Sequence, residues 1–338
     1  MSSTSCSARL VPIIATLLLS CSTPPVTSVD GGGDAAIIDA NVVDAAGGDA
    51  GSLLAIGETR FFGFVAIDCG YDDPLDAEVR TEYVDEVSAF TNVAHVCVSG
   101  PDEDLSARLA RLERAGLRAI VAIGPVLFTS VAGTSRADPT QRLALRSDAE
   151  ARLARWFSVN AAVIDEVHVS SIYVADEPAW NALPMDDLAA AAAMLDAATE
   201  LPLSLVEAGD ALDALAIPPE IDLVAFDRYD TPDPSTDATW LADLAQLIAL
   251  RSRSEQRIVL VMDTQWRDYY GAAGVPPEAM AGVARSTIAV AARTPEVVGI
   301  LGYLWPGGLD LPTQRGAREL PSTVIDVYRE LGRAVRAR

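Results

Sequence analysis

Val167-His-Val-Ser-Ser-Ile-Tyr-Val174 runs directly into Ala175-Asp176-Glu177-Pro178. The first segment is rich in β-branched and aromatic residues, the composition of a strand buried on both faces. Pro178 ends it. Two adjacent carboxylates where a buried strand gives way to a loop are costly to bury unless they are hydrogen-bonded or do chemistry.

The same texture recurs along the chain. Strand-like runs are read at Arg60–Ile67, Asn92–Ser99, Arg118–Gly124, Val167–Ala175, Leu201–Val206, Ile221–Phe226, Arg257–Met262 and Val297–Leu304. Between them lie Ala/Leu/Arg/Glu stretches with helical spacing, including Asp104–Ala115, Asp148–Val159, Met185–Thr199 and Pro277–Ala292, and Ser322–Arg336 closes the chain. Thr236 and Asp186 precede good helix formers, and Pro276-Pro277 suits a first helical turn. Eight strands alternating with helices predict a single-domain (β/α)8 TIM barrel of the α/β class over residues 56–338. The fifth unit leaves room for only a short helix between Val206 and Ile221. An open doubly wound sheet would need a Gly-rich phosphate loop after the first strand, and Asp68-Cys-Gly-Tyr-Asp-Asp-Pro74 is not one.

The N-terminal region reads differently. Met1–Arg9 carries one arginine and no acid, and Leu10–Leu19 is apolar but too short to span a bilayer. Leu18-Leu-Ser-Cys21 resembles the lipobox of bacterial lipoproteins, which implies a signal peptide over residues 1–20 and lipidation of Cys21. Residues 21–55 are low in complexity and poor in aromatics, and read as a flexible linker. The expected location is therefore exported and lipid-anchored to a bacterial membrane, at the outer membrane or cell surface. Roughly 280 residues then remain, enough for one domain with its own core.

Composition removes several chemistries. The formal net charge is -23, which argues against nucleic acid as a partner. All 25 basic residues are Arg, so Schiff-base, pyridoxal and P-loop chemistry, which require a lysine, are out. His95 and His168 are the two histidines, too few for a mononuclear zinc barrel. No metal or other cofactor is expected. Cys69 and Cys97 fall near the ends of neighbouring strands, where an oxidising compartment would allow them to pair.

Residues at or just past the strand ends form a pattern. They are Asp68, then Asp176 and Glu177, Glu207, Asp227 with Tyr229, Asp263 with Trp266, and Tyr303 with Trp305. A barrel gathers all these ends at one mouth. Carboxylates among aromatic rings suit a carbohydrate: rings stack on sugar faces, carboxylates accept from hydroxyls, and two carboxyls can cleave the bond. Trp156 and Trp240 lie on helices and are read as packing residues.

The motif order resembles the large clan of barrel glycoside hydrolases, whose acid/base Glu ends strand four and whose nucleophile Glu ends strand seven. Ile172-Tyr-Val-Ala-Asp-Glu-Pro178 is similar to that clan's strand-four ending, usually Asn-Glu-Pro, which implies that Glu177 is the acid/base. Val261-Met-Asp-Thr-Gln-Trp266 resembles its strand-seven ending and puts Asp263 at the nucleophile position. Gly302-Tyr-Leu-Trp305 is similar to its strand-eight ending, with Trp305 implied as the floor of a sugar subsite. Asp176 stands where Asn is usual and Asp263 where Glu is usual. The shorter Asp263 would favour a water-mediated inverting geometry, or mark a barrel that has lost hydrolysis. The Asp-Glu pair also resembles hexosaminidase-type barrels, in which Asp176 would orient a substrate 2-acetamido group and Tyr229 or Tyr303 would bond its oxygen.

The expectation is a surface lipoprotein that hydrolyses O-glycosidic bonds of an external poly- or oligosaccharide, touching the membrane only through Cys21. The alternative is a non-catalytic barrel that binds a carbohydrate or a partner. Substrate choice would lie in the loops Phe128–Pro139, Thr231–Ser235 and Leu309–Leu320.

Overall fold

A computed structural model describes residues 54–338. The expected signal segment, Cys21 and all but the last two residues of the expected linker lie outside the described residues. Strands in chain order are β1 (Phe61–Phe64), β2 (Val93–Cys97), β3 (Arg118–Ala122), a hairpin of β4 (Phe128–Ala132) and β5 (Gln141–Leu145), then β6 (Val169–Asp176), β7 (Leu203–Ala208), β8 (Leu223–Asp227), β9 (Arg257–Asp263) and β10 (Val297–Tyr303). Eight of them form one sheet in the order β1-β10-β9-β8-β7-β6-β3-β2, parallel throughout. The result is a nearly closed TIM barrel. No helix among the described residues is long and apolar enough to cross a membrane.

Helices cover the outside because their apolar residues recur at helical spacing. Ser106–Arg114 buries Leu109 and Leu112, exposes Arg114, and sends Arg108 and Arg111 to Asp68 at the end of the barrel. Ala238–Leu250 buries Trp240, Leu244 and Leu247, and the Asp237 side chain caps it by accepting from the Trp240 N–H at 2.7 Å. Asp237, rather than Thr236, is the cap. The fifth unit holds only a 3-10 turn, Gly209–Ala211, between β7 and β8. The stretch expected as a loop over Phe128–Pro139 begins with β4, which pairs antiparallel with β5.

Closure falls between β1 and β2. There the Phe62 N–H donates to Asn92 Oδ1 at 2.8 Å, and the Asn92 N–H donates to the Phe62 carbonyl at 3.0 Å. Further up, the Asp68 N–H donates to the His95 carbonyl at 3.1 Å and the Cys97 N–H to the Asp68 carbonyl at 3.0 Å. Gly63 permits the approach, since a Cβ there would stand 2.2 Å from the Val93 carbonyl oxygen. Cys69 and Cys97 form a disulfide across the upper part of the same seam.

Gly63→Ala should therefore cost about 1–3 kcal/mol of stability by overpacking. Denaturant unfolding measures it, and an unchanged midpoint would contradict the close contact at the seam.

Candidate active site

Strict alternation along β6 would send Asp176 and Glu177 to opposite faces. Two irregularities bring both to the barrel interior. The register against β7 shifts between Tyr173 and Ala175, and Glu177 takes φ 43°, a left-handed conformation that costs a non-glycine residue about 1–3 kcal/mol. Both side chains line a cavity of about 1100 Å³ that fills the interior and opens at the C-terminal strand ends.

The surrounding structure holds Glu177 in this conformation. Its N–H donates to the Val206 carbonyl at 2.9 Å, and its carbonyl accepts from the Asn181 N–H at 2.8 Å. Asn181 Nδ2 also reaches the carbonyls of Asp176 and Glu177, at 3.2 and 3.1 Å. Glu207 is fully buried and lies outside the cavity wall. Its carboxylate accepts from the N–H groups of Ala179 (2.7 Å), Trp180 (3.2 Å) and Ala208 (3.1 Å). Glu207 thus ties down the turn that follows Glu177. Burial still pushes it up to about 8 against these three donors.

Inside the cavity, the Glu177 side chain is hydrogen-bonded to Asp227 at the end of β8. Glu177 is 9% exposed and Asp227 4%. Burial first, then the charges of Asp227 and Asp176, hold Glu177 well above the usual carboxylate range. Burial raises Asp227 to about 7, although hydrogen bonds from Glu177 and Tyr229 oppose the rise. Glu177 is thus the donor and Asp227 the acceptor of one shared proton. Tyr173 donates to Asp176, whose carboxyl burial also raises. No arginine pairs with Asp176 or Asp227 among the described residues.

Two tyrosines complete the wall. Tyr229 donates to Asp227 at 3.1 Å, Tyr303 to Asp310 at 2.8 Å, and their rings lie 5.1 Å apart. Neither Tyr173 nor Asp310 was among the expected site residues, although Asp310 falls in the loop Leu309–Leu320 where substrate choice was expected. The inward parity of Tyr173 with Ser171 was the available signal for the first, whereas Asp310 stands in a loop that no periodicity marks.

Other expected site residues lie elsewhere. Asp263 ends β9 outside the cavity wall; its carboxylate accepts from the Tyr270 hydroxyl at 2.7 Å and the Asp230 N–H at 3.0 Å, and burial raises it to about 6. Trp266 donates to the Val275 carbonyl at 2.9 Å and stacks under Arg315. Trp305 packs on Phe64 and Phe90 and donates to Glu86 at 2.6 Å, so its ring belongs to the layer between sheet and helices. Asp68 lines the cavity but is engaged by Arg108 at 3.1 Å and Arg111 at 3.5 Å.

Cys69, His95 and Cys97 bring two sulfurs and a ring nitrogen within 4.8 Å of one another. Those are zinc-ligand types, but the sulfurs are bonded to each other. His95 Nδ1 accepts from the Ala66 N–H at 3.3 Å, and burial lowers the ring to about 4.

No family model matches the chain, and no curated protein matches it. Solved structures share its fold. A glucosidase from Croceicoccus marinus superposes with TM-score 0.53 at 12% identity, covering 83% of this chain and 68% of its own. A GH113 beta-mannanase from Alicyclobacillus acidocaldarius, in complex with ManMIm, gives TM-score 0.51 at 13% identity, covering 85% and 99%. At these identities the likeness establishes the barrel.

The raised carboxyls set the pH dependence of stability. Asp263, Asp227 and Glu207 hold their protons to about 6, 7 and 8 in the fold, against roughly 4 in an unfolded chain. Their contribution is fully present below the unfolded value and is lost as pH rises through the folded ones. Asp233 acts oppositely: hydrogen bonds from Ser235 and Ser286 hold it at about 2, so its contribution disappears in stronger acid. The melting temperature should peak in mild acid and fall steadily from pH 5 to 9; a flat or rising profile would contradict the protonated cluster.

Proposed function

We propose that this chain is a glycoside hydrolase-like barrel that cleaves O-glycosidic bonds of an external saccharide, with Glu177 as general acid. One observation carries the reading. Glu177 is a carboxyl held protonated against Asp227, in the wall of a cavity rimmed by Tyr229 and Tyr303. A general acid needs such a proton near neutral pH, and a proton transferred from a positioned group contributes about 10²–10⁴-fold to rate. The fold shared with a glucosidase and a beta-mannanase supports the reading.

The partner of Glu177 distinguishes the mechanisms. Asp176 at the cavity wall supports a role in orienting a substrate acetamido group, whereas Asp263, bound to Tyr270 outside the wall, does not suit direct attack. The same position of Asp263 favours a second reading, a barrel that binds carbohydrate or a partner without turnover. We further propose export and lipid anchoring at Cys21, on the strength of Leu18-Leu-Ser-Cys21.

On a panel of glycans, Glu177→Gln should lose about 10²–10⁴-fold in kcat/KM. Asp227→Asn removes one of the charges that, with burial, keep Glu177 protonated, so the basic limb of its pH–rate profile should move toward acid. Equal activity in Glu177→Gln and wild type would end the reading, and saturable binding without turnover would favour the second. Cys21→Ser should release the protein from the membrane fraction; unchanged fractionation would remove the anchor.

A further inference from the structure

TIM-barrel interiors are ordinarily filled by layers of bulky side chains. Here the cavity continues below Glu177 and Asp227 toward the opposite end of the barrel, and its wall there includes Phe61, Ile120, Leu223, Val259 and Leu301. Small inward residues leave the space: Ala122 on β3, Ser171 on β6, Ser204 on β7 and Ala225 on β8. Leu223 lies four positions before Asp227 on β8, about 13 Å of strand.

Polar side chains are few in this lower chamber: Ser170, Ser171, Ser204 and His95. Ser171 and Ser204 bond each other at 3.1 Å, and Ser204 also reaches the Ile172 carbonyl at 3.3 Å. His95 Nε2 is a buried nitrogen at the wall without a hydrogen-bond partner, able to serve a single oxygen. A sugar ring carries several hydroxyls, each of which loses water on entry and needs a replacement partner. A hydrocarbon needs none, and gains from leaving water.

We propose that the chamber beneath Glu177 and Asp227 takes the hydrocarbon part of the substrate, so that the bond cleaved joins a sugar to an alkyl or aryl aglycone. This inference rests on the glycosidase reading above. The sugar then lies toward the mouth, against Tyr229 and Tyr303, and the aglycone points down the barrel. As the bond between the anomeric carbon and the aglycone oxygen breaks, the Glu177 proton passes to that oxygen. Water supplies the hydroxyl to the anomeric carbon and returns a proton to the carboxyl pair.

The test is titration calorimetry on the Glu177→Gln protein with methyl, butyl and octyl β-D-glucopyranoside, below the micelle-forming concentration, and with 1-octanol, which has no sugar. Affinity should rise about fourfold per methylene buried, leaving octyl at least about a hundredfold tighter than methyl, with octanol binding saturably. Ala225→Leu, which fills the chamber, should weaken octyl glucoside and octanol about tenfold or more. Equal affinity for the methyl and octyl glucosides, or no octanol binding, overturns the proposal whether or not Ala225→Leu folds. Loss of turnover in Glu177→Gln beside a flat chain-length series discards the chamber and keeps the glycosidase. A steep series beside undiminished turnover keeps a hydrocarbon-binding chamber and discards Glu177 as the acid.

Discussion

Two carboxyl groups buried in contact cannot both be charged, because their repulsion grows as water is removed. Glu177 and Asp227 meet this constraint by sharing one proton, at the ends of β6 and β8. The surrounding architecture serves that contact. A register shift in β6 turns the strand end inward, Glu207 ties the next turn down through three backbone N–H groups, and the left-handed conformation of Glu177 is held by Asn181 and Val206. Backbone strain at Glu177 is part of what a pre-organised site costs.

The barrel was legible because period and length agree. Eight apolar runs separated by helical spacing have one economical arrangement, and helices such as Ser322–Arg336 fall where their apolar stripes place them. Less legible were features set by contacts distant in sequence. The β4–β5 hairpin depends on pairing between two short stretches of mixed apolar and polar residues that alternate weakly. The cap on Ala238–Leu250 moved one residue, to Asp237, because its carboxylate reaches the Trp240 N–H.

The site divides along the same line. Glu177, Asp176, Asp227, Tyr229 and Tyr303 come together because strand ends converge in any closed barrel. The direction of each side chain could not be read from its position at a strand end. Glu207 lies outside the cavity wall, Trp305 completes an aromatic cluster with Phe64 and Phe90, and Asp263 is drawn to Tyr270. The hollow below the carboxyls was invisible in sequence, since small inward residues such as Ser204 and Ala225 acquire meaning only once the strands close around them.

A direct measurement is the protonation of the Glu177 carboxyl, followed by carbon-13 NMR across a pH titration with Glu177→Gln used to assign its signal. The account requires Glu177 to remain protonated at neutral pH and to lose its proton only well above the ordinary glutamate range. A carboxyl already ionised near pH 5 would contradict it, since no shared proton would then link β6 to β8.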